Sequence, residues 1–131
     1  MYITNNPEVA SIADRAGVDR IFIDLERHGK EERQKNWNSV KSKHSISDIP
    51  KVKSAVRNAQ IFVRTDPIFD GFSDELEGVL ACKPDVVMLP YFKTVREVET
   101  FIKAVDGRAT TSLLLETREA AEQIDDIISV G

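Results

Sequence analysis

Three acidic residues, Asp24, Glu26 and Glu116, one arginine, Arg64, and two histidines, His28 and His44, are the side chains here whose types could do chemistry together. Carboxylate oxygens are hard donors that suit Mg2+ or Mn2+. A guanidinium can hold a carboxylate through two parallel hydrogen bonds. Histidine changes charge near neutral pH and is the commonest general base, which makes His28 and His44 the candidates for that role. The combination suits a divalent cation and an acidic substrate held side by side. Strand-end charges can equally be solvated caps that pair with one another, and spacing alone leaves both readings open.

These residues converge only if the elements before them end at a common edge. Met1–Thr4 is β-prone. Asn6, Pro7 and Glu8 open a helix by capping, fixed φ and first-turn charge, and Gly17 closes it. Arg20–Leu25 reads as a buried strand, followed by a polar stretch over residues 26–45. A helix opens at Ser47-Asp48 and runs to about Asn58. Ile61–Arg64 is a strand, Asp70–Ala81 a helix, and Asp85–Pro90 a strand ended by its proline. Thr94 caps a helix broken by Asp106-Gly107. Thr110–Glu116 is the fifth strand, and Ala120, Ile124, Ile127 and Ile128 mark a final helix.

Five strands, each followed by a helix, with apolar runs that do not alternate, predict a parallel sheet covered by helices. The chemistry then gathers beyond the strands' C-terminal ends, where Asp24, Glu26, Arg64, Pro90 and Glu116 fall. An open doubly wound sheet normally carries a glycine-rich first turn, and Asn5-Asn6-Pro7 has none. A (β/α)8 barrel needs eight units and about 250 residues. The 131 residues here therefore read as one domain, the N-terminal part of a TIM barrel of about five units. Five strands cannot close that barrel, so apolar edges on the first and fifth strands and an uncovered inner face are expected, with a homo-oligomer as the consequence.

Composition narrows the function classes. The net charge of −4, from 18 basic and 22 acidic residues spread along the chain, offers no basic tract for nucleic acid. Apolar runs such as Val86–Pro90 are too short to cross a membrane, and no signal segment opens the chain, which points to the cytoplasm. Cys82 is the sole cysteine, so no internal disulfide forms, and its place at a helix end suits a buried structural thiol. Trp37, among Arg27, Lys30, Arg33 and Lys35, could select an acidic substrate or could be solvated surface with one anchoring aromatic.

Four segments carry a resemblance. Ala16–Glu26 resembles the AGxDxxxxDxE segment of the HpcH/HpaI aldolase/citrate lyase family. Ile61–Arg64 is similar to that family's strand-three arginine segment, Asp85–Pro90 to its D-x-(V/I)-M-L-P strand, and Leu114–Thr117 to its (I/V)-E-(T/S) strand. The four stand in the family's order and cover nearly the whole chain. The resemblance implies a metal-dependent carbon–carbon lyase, an aldolase acting on a 4-hydroxy-2-oxoacid or related acidic substrate through an enolate. Glu116 would ligate Mg2+ or Mn2+, and a second ligand would lie beyond residue 131. Arg64, with Pro90, would bind the keto-acid or acyl substrate, and Asp24 and Glu26 would fall in the acidic motif of strand two. Two positions depart from the family pattern: Arg27 separates Glu26 from His28, and Leu114 stands where the aldolase branch has a glutamine. Citrate or acyl-CoA lyase chemistry and a non-catalytic truncated module are the alternatives, and the chain alone is expected to show little activity. Thr117 is expected to start the last helix.

Overall fold

The computed structural model describes residues 1–26 and 44–130. Its strands are β1 (Tyr2–Ile3), β2 (Arg20–Asp24), β3 (Gln60–Arg64), β4 (Val86–Leu89) and β5 (Thr110–Leu113). The helices are α1 (Pro7–Arg15), α2 (Asp48–Ala55), α3 (Phe72–Ala81), α4 (Val95–Val105), α5 (Arg118–Glu122) and α6 (Ile124–Ile128). All five strands are parallel and lie in the order β1-β2-β3-β4-β5. A doubly wound sheet reverses its order at a switch point, so the sequential order is that of a partial barrel, as the sequence predicts.

Strand parity divides the apolar residues between two faces. Ile21, Ile23, Ile61, Val63, Val87 and Leu89 point toward the helices and join Ala10, Val52, Val79, Val98 and Phe101 in one core. Each fully buried aliphatic there stabilises the fold by about 1.5–3 kcal/mol relative to leaving it in water. The opposite face carries Phe22, Phe62, Val86 and Met88, with Leu114 packed against them. The expected uncovered inner face is corrected here, because these four residues are 4–8% exposed. The rings of Phe22 and Phe62 stack at 5.2 Å, and the Arg20 and Arg64 guanidiniums lie over Phe62 and Phe22, contacts that account for part of that burial. The β1 edge does stay exposed, at 47% for Tyr2 and 56% for Ile3.

Capping sets most helix ends. The Asn6 side chain accepts the Glu8 and Val9 N–H groups at 2.9 and 3.2 Å. Thr94 and Glu97 form a reciprocal capping box, and Asp106 and Gly107, both at positive φ, close α4. Helix α2 stops at Ala55, earlier than the expected end near Asn58. Val56 is extended, and the buried Asp14 carboxylate accepts the N–H groups of Arg57 (2.8 Å), Asn58 (3.1 Å) and Ala59 (2.7 Å). Those donors serve a tie between α1 and the start of β3 instead of continuing a helix. The final helix, expected as one, breaks at Gln123 into α5 and α6. The fifth strand ends at Leu113, although Leu114 still donates to the Leu89 carbonyl at 3.0 Å.

Candidate active site

The rim of the sheet forms because backbone pairing carries on beyond each strand. Leu25 donates to Arg64 at 2.9 Å, Thr65 to Met88 at 3.1 Å and Leu114 to Leu89 at 3.0 Å. This holds the segments that follow β2, β3 and β5 in register. Asp24 and Arg64 are paired neighbours on adjacent strands. They share strand parity with Phe22 and Phe62, and so share the inner face.

Arg64 is held along one edge. Its Nε donates to Asp24 Oδ1 at 2.9 Å and its Nη2 to Asp24 Oδ2 at 2.6 Å. Glu26 Oε2 lies 3.2 Å from Nε. The Asp24 and Glu26 side chains are 4% and 0% exposed, against 20% for Arg64. Burial alone would lower the arginine's pKa. The Asp24 hydrogen bonds and the charges of Asp24, Glu26 and Glu116 outweigh it and hold the pKa above its ordinary value. Since Asp24 occupies the Nε/Nη2 edge of a planar fork, the Nη1/Nη2 edge has no bond within the described residues, and it can meet a second carboxylate in the same bidentate way.

Glu116 stands across the rim at the end of the β5 segment. Its Oε1 accepts the Tyr91 N–H at 2.9 Å. Tyr91 adopts φ 51°, a left-handed conformation that is uncommon for a bulky residue. That conformation follows directly on Pro90, which is buried between Leu89 and Tyr91. Thr117 fastens the same corner: its hydroxyl donates to the Phe92 carbonyl at 2.6 Å and caps α5 by accepting the Ala120 N–H at 3.2 Å. The helix-starting role expected for Thr117 is therefore the one it has.

His44 is 4% exposed, and its Nδ1 accepts the backbone N–H of Asp24 at 2.9 Å. Strand β1 is too short to reach this donor, since its final rung runs from Thr4 to Phe22. The imidazole takes the place of the missing rung. Asp48 fixes the approach, with Oδ2 accepting from the Ser45 N–H (2.8 Å), the Asn5 amide (3.1 Å) and the Ser45 hydroxyl (3.3 Å). Burial would raise the pKa of Asp48, but these donors and the Lys51 charge lower it.

His28 lies outside the described residues, as do Trp37, Arg27, Lys30, Arg33 and Lys35. Cys82 is half-buried, with its thiol donating to the Gly78 carbonyl at 3.5 Å. Two buried rim residues escaped the sequence reading: Thr65 and Asp66, each 5% exposed just past β3. The signal was an acid directly before a proline after a strand-end arginine, but polar loop residues look alike until burial is known. Asp24, Arg64 and Glu116 come together on one rim. No group of three or more His, Cys, Asp or Glu that could hold a metal ion occurs among the described residues. Glu116 can offer oxygen to a hard cation, while Asp24 and Glu26 are engaged by Arg64. Such a cation takes about six or more oxygens, so the described residues by themselves do not make up its ligand set. No helix among them is long and apolar enough to cross a membrane.

Comparison with known proteins places this geometry. The HpcH/HpaI aldolase from Desulfitobacterium hafniense DCB-2 shares the fold with a TM-score of 0.70 at 15% identity, over 99% of this chain and 56% of that one. Citrate synthase SbnG gives 0.72 at 15% identity, over 99% and 56%. An HpcH/HpaI aldolase/citrate lyase family protein from Burkholderia cenocepacia J2315 gives 0.59 at 14%, over 98% and 49%. The chain thus spans about half the length of these solved structures. No curated protein matches it. The family description of HpcH/HpaI aldolase/citrate lyase fits residues 1–131, and on that match the chain belongs to the HpcH/HpaI aldolase/citrate lyase family.

Proposed function

We propose that this chain supplies the substrate-carboxylate half of the active site of a carbon–carbon lyase acting on a 4-hydroxy-2-oxoacid. One observation carries the reading: Asp24 holds one edge of Arg64 bidentately, and the other edge has no bond within the described residues, on the rim shared with Glu116. The substrate's carboxylate would accept from Nη1 and Nη2, with Pro90 and Tyr91 beside it. A base removes the 4-hydroxyl proton, and the C3–C4 bond breaks to leave an aldehyde and the enolate of pyruvate. Protonation at C3 then gives pyruvate. Mg2+ or Mn2+, for which Glu116 would be one ligand, would supply Lewis-acid polarisation of the 2-oxo oxygen when bound. Asp24 and Glu26 act by holding Arg64.

His44 is a poor base in this arrangement. With Nδ1 occupied by the Asp24 N–H, the neutral ring carries its proton on Nε2 and has no second lone pair to offer. His44 acts as a positioning residue for β2, and His28 is the histidine to test as the base. The substrate is a small acidic molecule, with no nucleic-acid or membrane partner, in a cytoplasmic homo-oligomer.

Citrate or acyl-CoA lyase chemistry is the second reading, favoured by the fold shared with citrate synthase SbnG and by Leu114 at the aldolase glutamine position. A non-catalytic module is the third. Pyruvate release from a 4-hydroxy-2-oxoacid with Mg2+ or Mn2+ separates them. In a protein with a complete barrel, Arg64→Lys keeps the charge but loses the fork, and should raise KM roughly 10-fold or more. Glu116→Gln should abolish metal-dependent turnover, and wild-type activity in that variant would sink the site assignment. The 131-residue chain alone should show little or no turnover.

A further inference from the structure

We propose that Phe22 is a positioning residue for Arg64, its ring fixing the tilt of the guanidinium so that the Nη1/Nη2 edge faces the rim. This rests on the reading that Arg64 receives the substrate's carboxylate. Two in-plane bonds to Asp24 fix one edge of the fork but act as a hinge, leaving the far edge free to swing about the line of contact. A surface beneath the fork is what stops a hinge. The central carbon of Arg64 lies 5.4 Å from the centroid of the Phe22 ring, which is the separation of a cation–π contact. Phe22 is 4% exposed, so water screens the attraction little.

The ring is itself braced. Phe62 stacks on it at 5.2 Å with 19° between the planes, and Arg20 lies over Phe62 at 5.9 Å. Arg20 is in turn held by Gln60 at 3.1 Å. Cation, ring, ring and cation thus form one column on the inner face, from the start of β2 and β3 to their ends. The apolar residues of β2 and β3 that face the helices are all aliphatic; the aromatics sit where an arginine crosses them. An aliphatic side chain would fill the same volume without offering a π face.

The test uses two readouts, the Arg64 Nε–H resonance in a proton–nitrogen spectrum and the affinity for pyruvate by calorimetry. The Phe22 ring should add an upfield ring-current shift to that resonance, opposing the downfield shift from the Asp24 hydrogen bond, so losing the ring should move it downfield; no movement on its loss would overturn the proposal. Phe22→Leu should remove the ring-current shift and weaken pyruvate binding about three- to tenfold, while Phe22→Tyr, which keeps the ring, should restore both. Phe62→Leu deletes an equally buried ring but leaves Phe22 under Arg64, and should lower stability while moving both readouts clearly less than Phe22→Leu does. Equal effects of Phe22→Leu and Phe62→Leu would mean that the rings act only as core filling, and the proposal falls. Arg64→Ala separates the two claims: if pyruvate binds it normally, the substrate role of Arg64 fails, while the resonance still decides whether Phe22 positions it.

Discussion

Asp14 illustrates how much one side chain can do away from the rim. Its carboxylate takes N–H groups from Arg57, Asn58 and Ala59. Those of Arg57 and Ala59 lower its pKa most, against a smaller opposing effect of burial. A carboxylate whose folded pKa is depressed adds stability that is complete above its unfolded pKa and is lost as pH falls through the folded one. Asp48, also lowered, adds to the same acid limb. The fold should therefore lose stability on acidification below the ordinary carboxylate range, and Asp14→Asn should flatten that limb in denaturant titrations repeated across pH. An unchanged pH dependence would rule Asp14 out as its source. The place of Arg64 at the end of β3 was legible in the sequence, because a strand end is a legible place. Asp14 was not, since nothing in a helical acid reveals that three amides from residues 57–59 will meet it. The reach of Arg64 over Phe22 was hidden for the same reason, being a diagonal contact between strands.

Among the elements, the ones with strong local signals were read correctly. Asn6-Pro7 and Thr94 cap their helices as expected, because caps are made within a few residues of chain; Glu97 completes the second cap as a box. The early end of α2 was missed because it is imposed from α1, and the break at Gln123 carries no proline or glycine to announce it. The turn after β5 depends on a single hydroxyl shared between Phe92 and Ala120. Thr117→Ala removes both a cap and a tie between the β4 and β5 ends, and should cost about 1–2 kcal/mol in chemical denaturation. Thr117→Ser should recover most of that loss. If Ser behaves like Ala, the hydroxyl is not what matters.

At the scale of the whole molecule, the sequential parallel sheet was readable because alternating strands and helices leave few topologies. The burial of its inner face was not, since it depends on contacts made only once the strands are side by side. With that face covered, the exposed β1 edge and its Tyr2 and Ile3 side chains remain as the surface for association. Sedimentation velocity over a range of concentrations should show self-association of the chain, weakened by Ile3→Lys; a monomer at every concentration would refute it. A last consequence concerns the Asp24 N–H, which is held by a side chain and not by a neighbouring strand. Residue 44 is thereby tied to hydrogen-bond acceptors: an apolar replacement there leaves a buried amide unpaired beside the Asp24–Arg64 pair, at a cost of about 1–3 kcal/mol.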